Sequence, residues 1–263
     1  MSKEEIVLYE VKNRVAIITL NRPPVHVFNL DLMKTFYEKL VQADNDEEVK
    51  CILLKSSGDR VFSAGIDVKG VTPDDVEYLA ELRSYGRKIT ESMLLIKKPI
   101  IAQVQGSAIG FGMELIMACD MRIFANRPKE EMFFRMPEIA ISIYPQTGAT
   151  ILPLLNFGLI NAKKMLFTAD EYSLEDLNTM NPGFCTRIVD LKELDVETRK
   201  FIRTFSKRDH AFTFLIKSTL TIMNNKLISR WYDLEDNAGE AAYKKMSMKE
   251  LDSYIKELYK KYP

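Results

Sequence analysis

Two glutamates and a glycine-broken helix start are the residues of this chain whose types and spacing can do chemistry. Residues Ser107 to Asp120 read Ser-Ala-Ile-Gly-Phe-Gly-Met-Glu-Leu-Ile-Met-Ala-Cys-Asp. Gly110 and Gly112 let the backbone pass close to another group and leave N–H donors at the positive end of a helix. Glu114 follows one turn inside, and Leu115, Ile116, Met117, Ala118 and Cys119 leave it no broad polar face. A buried carboxylate needs a partner or a task. Amides aimed at an anion, with a carboxylate one turn away, fit enolate or oxyanion chemistry. A structural glutamate with its hydrogen bonds satisfied fits the same residues equally well. Glu138, set between apolar segments, is a second such carboxylate; its bland reading is an ion pair with Arg122 or Arg135.

The elements that must position these groups follow from periodicity. Residues 6–11 and 15–20 are β-rich runs about Lys12-Asn13-Arg14, which predicts a hairpin. Asn29 caps a helix carrying Leu30, Met33, Tyr37, Leu40 and Val41 on one face. Cys51 to Leu54 is a short buried strand. Thr72-Pro73-Asp74-Asp75 opens a second helix, with Val76, Leu79, Leu82, Tyr85, Ile89, Met93 and Ile96 as its stripe, and Pro99 stops it. Ile100 to Val104 leads into the glycine-rich stretch, Arg122 to Ala125 follows it as a strand, and 126–136 is a charged turn followed by an apolar strand. Ile139 to Tyr144 reads as another strand. Ser173 to Asp176 is a capping box, Asn181-Pro182-Gly183 a stop, and Ser247 to Glu250 the start of a last helix. Strands alternating with helices predict a spiral or open-sheet α/β fold.

Composition narrows the function classes. The 263 residues carry 37 Lys+Arg and 37 Asp+Glu, and this balance argues against a nucleic-acid footprint. A hydrophobic content of 46% supports a sizeable core, yet no apolar run is long enough to span a membrane, and the acidic start Met-Ser-Lys-Glu-Glu does not read as a signal peptide. Cys51, Cys119 and Cys185 lie far apart in apolar surroundings and read as reduced residues of a cytoplasmic protein. With only His26 and His210, and no metal-ligand spacing, no metal site is expected.

Taken together, Ile17-Ile18-Thr19-Leu20-Asn21-Arg22-Pro23, Phe62 to Lys69, Gly110 to Leu115 with Cys119-Asp120, and Pro137-Glu138 resemble the enoyl-CoA hydratase/isomerase (crotonase) superfamily. The resemblance implies a crotonase-like spiral of ββα turns over residues 1–190 and a C-terminal helical trimerisation region over 191–263, assembled as a homotrimer or homohexamer. It implies an acyl-CoA thioester ligand, with coenzyme A entering as part of the substrate and no separate cofactor. By position, the backbone N–H groups of Ile66 and Phe111 would form an oxyanion hole. Pro24, Val25, His26, Ser63, Ala64, Gly65, Asp67, Val68, Lys69 and Gly110 would line the substrate and CoA path. Two glutamates, at 114 and 138, match the family's hydratases and imply reversible hydration of a 2-enoyl-CoA. Tyr144-Pro145 and the Thr72-Pro73 region look most like hydratases of cyclic dienoyl-CoA, and a Δ3-Δ2 isomerase or a non-catalytic binding relative are further alternatives. Phe111 stands where the family has a glycine, which implies a narrowed or reshaped acyl pocket.

Overall fold

The computed structural model describes residues 5–69, 75–244 and 247–261. β1 (Val7–Lys12) and β2 (Val15–Leu20) form the antiparallel hairpin, turning on Asn13 and Arg14, both at positive φ. α1 (Leu30–Asn45) starts where the Asn29 side chain accepts the Leu32 N–H. Its buried face is Leu32, Met33, Phe36, Leu40 and Ala43, whereas Val41, placed on the stripe by its spacing, is 36% exposed. Met33, Phe36, Leu40 and Ala43 follow an i, i+3, i+7, i+10 series, so the buried face is turned towards Leu32 and Phe36 relative to the predicted stripe, and Val41 lies about 100° around from Leu40.

Three further turns repeat the strand, strand, helix order. They are β3 (Cys51–Ser56), β4 (Val61–Ser63) and α2 (Val76–Leu95); β5 (Ile100–Val104), β6 (Ser107–Ile109) and α3 (Phe111–Ala118); and β7 (Met121–Asn126), β8 (Phe134–Arg135) and α4 (Ile151–Thr168). Each gives one strand to each of two sheets. The first runs β1-β2-β3-β5-β7-β10 and the second β4-β6-β8-β9, where β9 is Glu171–Tyr172 and β10 is Arg187–Asp190. Apart from the β1–β2 and β8–β9 pairs, the ladders are parallel, and β5 is buried along its whole length. This is the expected spiral of ββα turns. Between β9 and β10, Ser173 and Asp176 make the capping box that starts α5 (Leu174–Met180). From residue 191 the described elements are helical: a 3-10 turn over Leu191–Glu193, then α6 (Leu194–Ser206), α7 (His210–Tyr243) and α8 (Met248–Lys261). Ser247 and Glu250 exchange hydrogen bonds at the start of α8.

One expectation changes. Residues 139–144 are not a strand: Glu138–Ile141 is a 3-10 turn, Ser142 has φ +57, and Ile139 and Ile141 are exposed. Both edges of β8, the strand just before this run, are already taken by β6 and β9. The helix-start signal Thr72-Pro73-Asp74 lies outside the described residues.

A buried cation closes each of the first three helices. Lys98 donates to the carbonyls of Ala43 (2.7 Å) and Asp46 (2.5 Å) at the end of α1. Lys217 of α7 donates to those of Met93 and Lys98 after α2, and pairs with Asp120 at 2.7 Å. Arg122 donates to Ile116, Cys119 and Phe184 at the end of α3. Unpaired carbonyls and the negative end of the helix dipole make these the places where a buried positive charge costs least. Arg122→Met would leave buried carbonyls without donors, and we expect a loss of about 3 kcal/mol in urea denaturation. An unchanged midpoint would show that Arg122 contributes nothing at this helix end.

Candidate active site

The glycine-rich stretch opens α3 where the two sheets' connections meet. Gly65, at φ +85, lies flat against the start of α3: a β-carbon there would sit 2.7 Å from the Ile109 carbonyl and 3.2 Å from the Phe111 nitrogen. Only a residue without a side chain brings the Ile66 amide beside the Phe111 amide. The loop is held by the bridge to Phe28, which takes the Gly65 carbonyl (2.8 Å) and the Asp67 N–H (2.9 Å). The N–H groups of Ile66 and Phe111 donate to nothing among the described residues, so two adjacent donors remain for one oxygen.

Glu114 is 2% exposed, and its Oε2 lies 2.7 Å from the Thr147 hydroxyl. Burial raises its pKa well above the usual carboxylate range, the nearby Glu138 charge raises it further, and the Thr147 hydrogen bond opposes both. Glu138 begins the 3-10 turn; its Oε1 is 3.1 Å from where a β-carbon on Gly110 would be, and its Oε2 is buried without a partner. Burial pushes Glu138 up to about 7, with its own backbone amide and Arg135 pulling the other way. The ion pair entertained for Glu138 does not form: Arg122 is spent on carbonyls, and Arg135 donates to Ala169 at 2.7 Å. Two carboxylates of raised pKa that feel each other titrate as a pair, and near neutral pH such a pair favours holding one proton.

The Thr147 hydroxyl has one proton and two acceptors in reach, Glu114 and the Gln146 carbonyl. Donation to Glu114 stabilises the carboxylate; donation to Gln146 leaves the Thr147 oxygen to accept from a protonated Glu114. Glu138 Oε2 receives no such help. The Glu138 carboxylate is helped instead by its own amide and by Arg135.

Several residues of the expected path are placed differently. The His26 ring is buried; its Nδ1 accepts the Arg22 N–H at 3.1 Å, and its Nε2 is 2.9 Å from the Ser57 carbonyl. Burial lowers its pKa. Ser63 is fully buried, donating to the His26 carbonyl and accepting from the Gly65 amide. Both side chains spend these polar atoms in joining the first loop to the second. Asp67 serves the same purpose through Arg22, at 3.0 Å. Pro24, Val68 and Lys69 are exposed, and Val25 and Ala64 partly so, on the rim of these loops. Phe111 is 2% exposed, with its ring edge-to-face on Phe28 at 5.1 Å and its far edge towards Gly86 of α2. The ring fills space between Phe28 and Gly86.

Other residues of the site carried no local signal. Glu235 of α7 is buried and accepts from the amides of Gly148 (2.8 Å), Thr150 (2.7 Å) and Ile151 (3.4 Å) and from the Thr150 hydroxyl. It caps α4 from another helix and fixes the loop behind Thr147. Tyr232, also of α7, donates to Thr90 at 2.9 Å, and Thr90 donates to the Thr147 carbonyl at 2.5 Å. These bonds hold Thr147 at φ +68, a conformation costly for a β-branched residue. Among the described residues, no cluster of His, Cys, Asp or Glu could hold a metal ion, and no helix is long and apolar enough to cross a membrane.

Comparison with known proteins agrees with this arrangement. Residues 10–260 match the enoyl-CoA hydratase/isomerase family. The chain is 32% identical over 202 residues to crotonyl-CoA hydratase of Syntrophomonas wolfei, covering 76% of this chain and 75% of that protein. It is 30% identical over 189 residues to short-chain-enoyl-CoA hydratase of Clostridium acetobutylicum, covering 72% and 70%. In fold it is similar to the crystal structure of enoyl-CoA hydratase from Bacillus halodurans, with a TM-score of 0.83, 20% identity and coverage of 92% and 96%.

Removing the Thr147 donor takes away the one hydrogen bond that lowers the Glu114 pKa, so that pKa rises further. In Thr147→Val we expect turnover at neutral pH to fall about 10- to 100-fold, the scale of a hydrogen bond to a charged group, and the acid limb of the rate profile to move to higher pH. Thr147→Ser keeps the hydroxyl and should keep both. A Thr147→Val profile that superimposes on the parent would remove this role.

Proposed function

Because the chain belongs to the enoyl-CoA hydratase/isomerase family and is an enzyme of that type, we propose that it adds water reversibly across the 2,3-double bond of a 2-enoyl-CoA thioester. The observation that carries this reading is a buried Glu114 and a half-buried Glu138, both of raised pKa, beside the unpaired amides of Phe111 at the start of α3 and of Ile66 on the loop packed against it. Coenzyme A is the carrier portion of the substrate, and no separate cofactor takes part.

The Ile66 and Phe111 amides hold the thioester oxygen and stabilise the negative charge that develops there as water attacks C3. Glu114, ionised and steadied by Thr147, takes the proton from that water. Glu138 delivers its proton to C2 as the enolate collapses, and the two carboxyl groups exchange roles in the reverse direction. Their shared proton sets a window of pH: doubly protonated, the pair has no base, and fully ionised it has no acid.

The same reading covers assembly and location. Leu155, Leu159 and Ile160 on α4 and Phe212, Leu215, Ile216 and Leu220 on α7 are exposed, in keeping with a homotrimer or a homohexamer. Cys51 and Cys119 are buried free thiols whose pKa values burial pushes up to about 12, as suits a reduced, cytoplasmic protein. Light scattering on the purified chain should give a mass three or six times that of one chain; a monomer at micromolar concentration would remove the assembly.

Loss of the conjugated thioester absorbance, followed with crotonyl-CoA beside a cyclic dienoyl-CoA, tests the reaction and its closest alternative. Hydration of neither compound would end the hydratase reading. Glu114→Gln and Glu138→Gln should each lower kcat at least about 100-fold with little change in KM, the scale of losing a general acid or base. Full activity in either variant would exclude that residue from proton transfer.

A further inference from the structure

Gly86 sits in the middle of α2, where a glycine weakens a helix and its own φ does not call for one. Space calls for it instead. A β-carbon at this position would lie 2.5 Å from the Thr147 methyl carbon, 3.1 Å from the Thr147 β-carbon and 3.5 Å from the Phe111 ring. One gap on α2 therefore receives both the residue that donates to Glu114 and the ring of the residue whose amide faces that of Ile66.

Thr90 lies one turn further along the same face and is fully buried. Its hydroxyl donates to the Thr147 carbonyl at 2.5 Å and accepts from Tyr232 at 2.9 Å. α2 thus holds Thr147 at two points, the methyl group by shape and the carbonyl by a donor. Both matter because the Thr147 proton has a second acceptor, the Gln146 carbonyl at 2.5 Å. Hydrogen bonds weaken steeply with misalignment, so a small displacement of Thr147 leaves its hydroxyl on Gln146 alone.

Taking Glu114 as the base of the hydratase reading, we infer that Gly86 and Thr90 are positioning residues that hold the Thr147 hydroxyl on Glu114 from the α2 side of the loop. Gly86 has no side chain and Thr90 is enclosed, so both act through Thr147 rather than on substrate. The other groups that face Glu114 are Glu138 of the 3-10 turn and Glu235 and Tyr232 of α7. Burial raises the Glu114 pKa, the charges of Glu138 and Glu235 raise it further, and the Thr147 hydroxyl lowers it. Loss of that hydroxyl from Glu114 raises the pKa again and moves the acid limb of the rate profile to higher pH.

The test is a set of pH–rate profiles with crotonyl-CoA, or with the cyclic dienoyl-CoA where the parent hydrates that compound instead. In Gly86→Ala we expect kcat at neutral pH to fall about tenfold with KM within about twofold, and the acid limb to move to higher pH. Thr90→Val keeps the shape and removes the donor, and it should do the same; Thr90→Ser should keep the parent profile. Gly86→Ala combined with Thr147→Ser moves a methyl group instead of adding one. Because the two sites are in contact, that double variant should come within about threefold of Thr147→Ser alone. A Gly86→Ala or Thr90→Val profile that superimposes on the parent, a slower rate with an unmoved acid limb, or a loss that Thr147→Ser does not recover would overturn the assignment. Should Gly86→Ala not fold, the double variant and Thr90→Val decide by the same outcomes. Should the parent hydrate neither thioester, the hydratase reading fails separately, and infrared titration of the Glu114 carboxyl, identified by its disappearance in Glu114→Gln, decides the positioning. A titration moved to higher pH in Gly86→Ala and Thr90→Val would uphold it, and an unmoved one would overturn it.

Discussion

The close approach of two stretches of backbone, Gly65 to the Ile109–Phe111 segment, is the constraint on which the rest of the structure depends. At 2.7 Å from the Ile109 carbonyl there is no room for a β-carbon, so the loop after β4 and the first turn of α3 meet as bare peptide. That contact sets two amides side by side, and everything around it serves to hold it. Arg22 and Asp67 tie the first loop to the second, while His26 and Ser63 spend their polar atoms locking the two together. The buried edge-to-face pair of Phe28 and Phe111 packs against the same joint. The loops are thus made rigid by residues that never face a ligand, which is what preorganised donors require.

A second constraint is electrostatic. Two carboxylates are buried within reach of each other, and a third, Glu235, adds to the burden on Glu114. Keeping charge in such surroundings costs free energy unless donors compensate. Glu235 receives amides and a hydroxyl at the start of α4, and Glu114 receives one hydroxyl, whereas Glu138 Oε2 receives none. The three glutamates thus differ in their support: Glu235 is held by several donors, Glu114 by one hydroxyl, and Glu138 by its own amide and the charge of Arg135.

The C-terminal helices are part of this arrangement, although they lie far along the chain from the glutamates. α7 supplies the cap of α4, the hydroxyl that steadies Thr90 and the cation at the end of α2. It also packs along α2, where Asp233 and Asp236 pair with Arg87. Variation in this part of the chain therefore reaches the chemistry through the conformation of the Thr147 loop.

The amino-acid sequence by itself determined what depends on neighbours in the chain. The hairpin about Asn13, the Asn29 cap, the capping box at Ser173 and the glycine-broken start of α3 all follow from residues within a few positions of one another. The two glutamates stood out because charge in an apolar run is conspicuous. Where the local pattern was ambiguous it misled: Ile139 to Tyr144 has the composition of a strand but begins as a 3-10 turn, and His26 and Ser63 look available until their partners are known. Only the tertiary structure decided which donors serve which carboxylate. Thr147 meets Glu114 across 33 positions and Glu235 meets Gly148 across 87, and no local propensity encodes such pairs. They exist because the spiral brings the end of each turn back over the one before, and burial then makes an unpartnered carboxylate too costly to leave where it is.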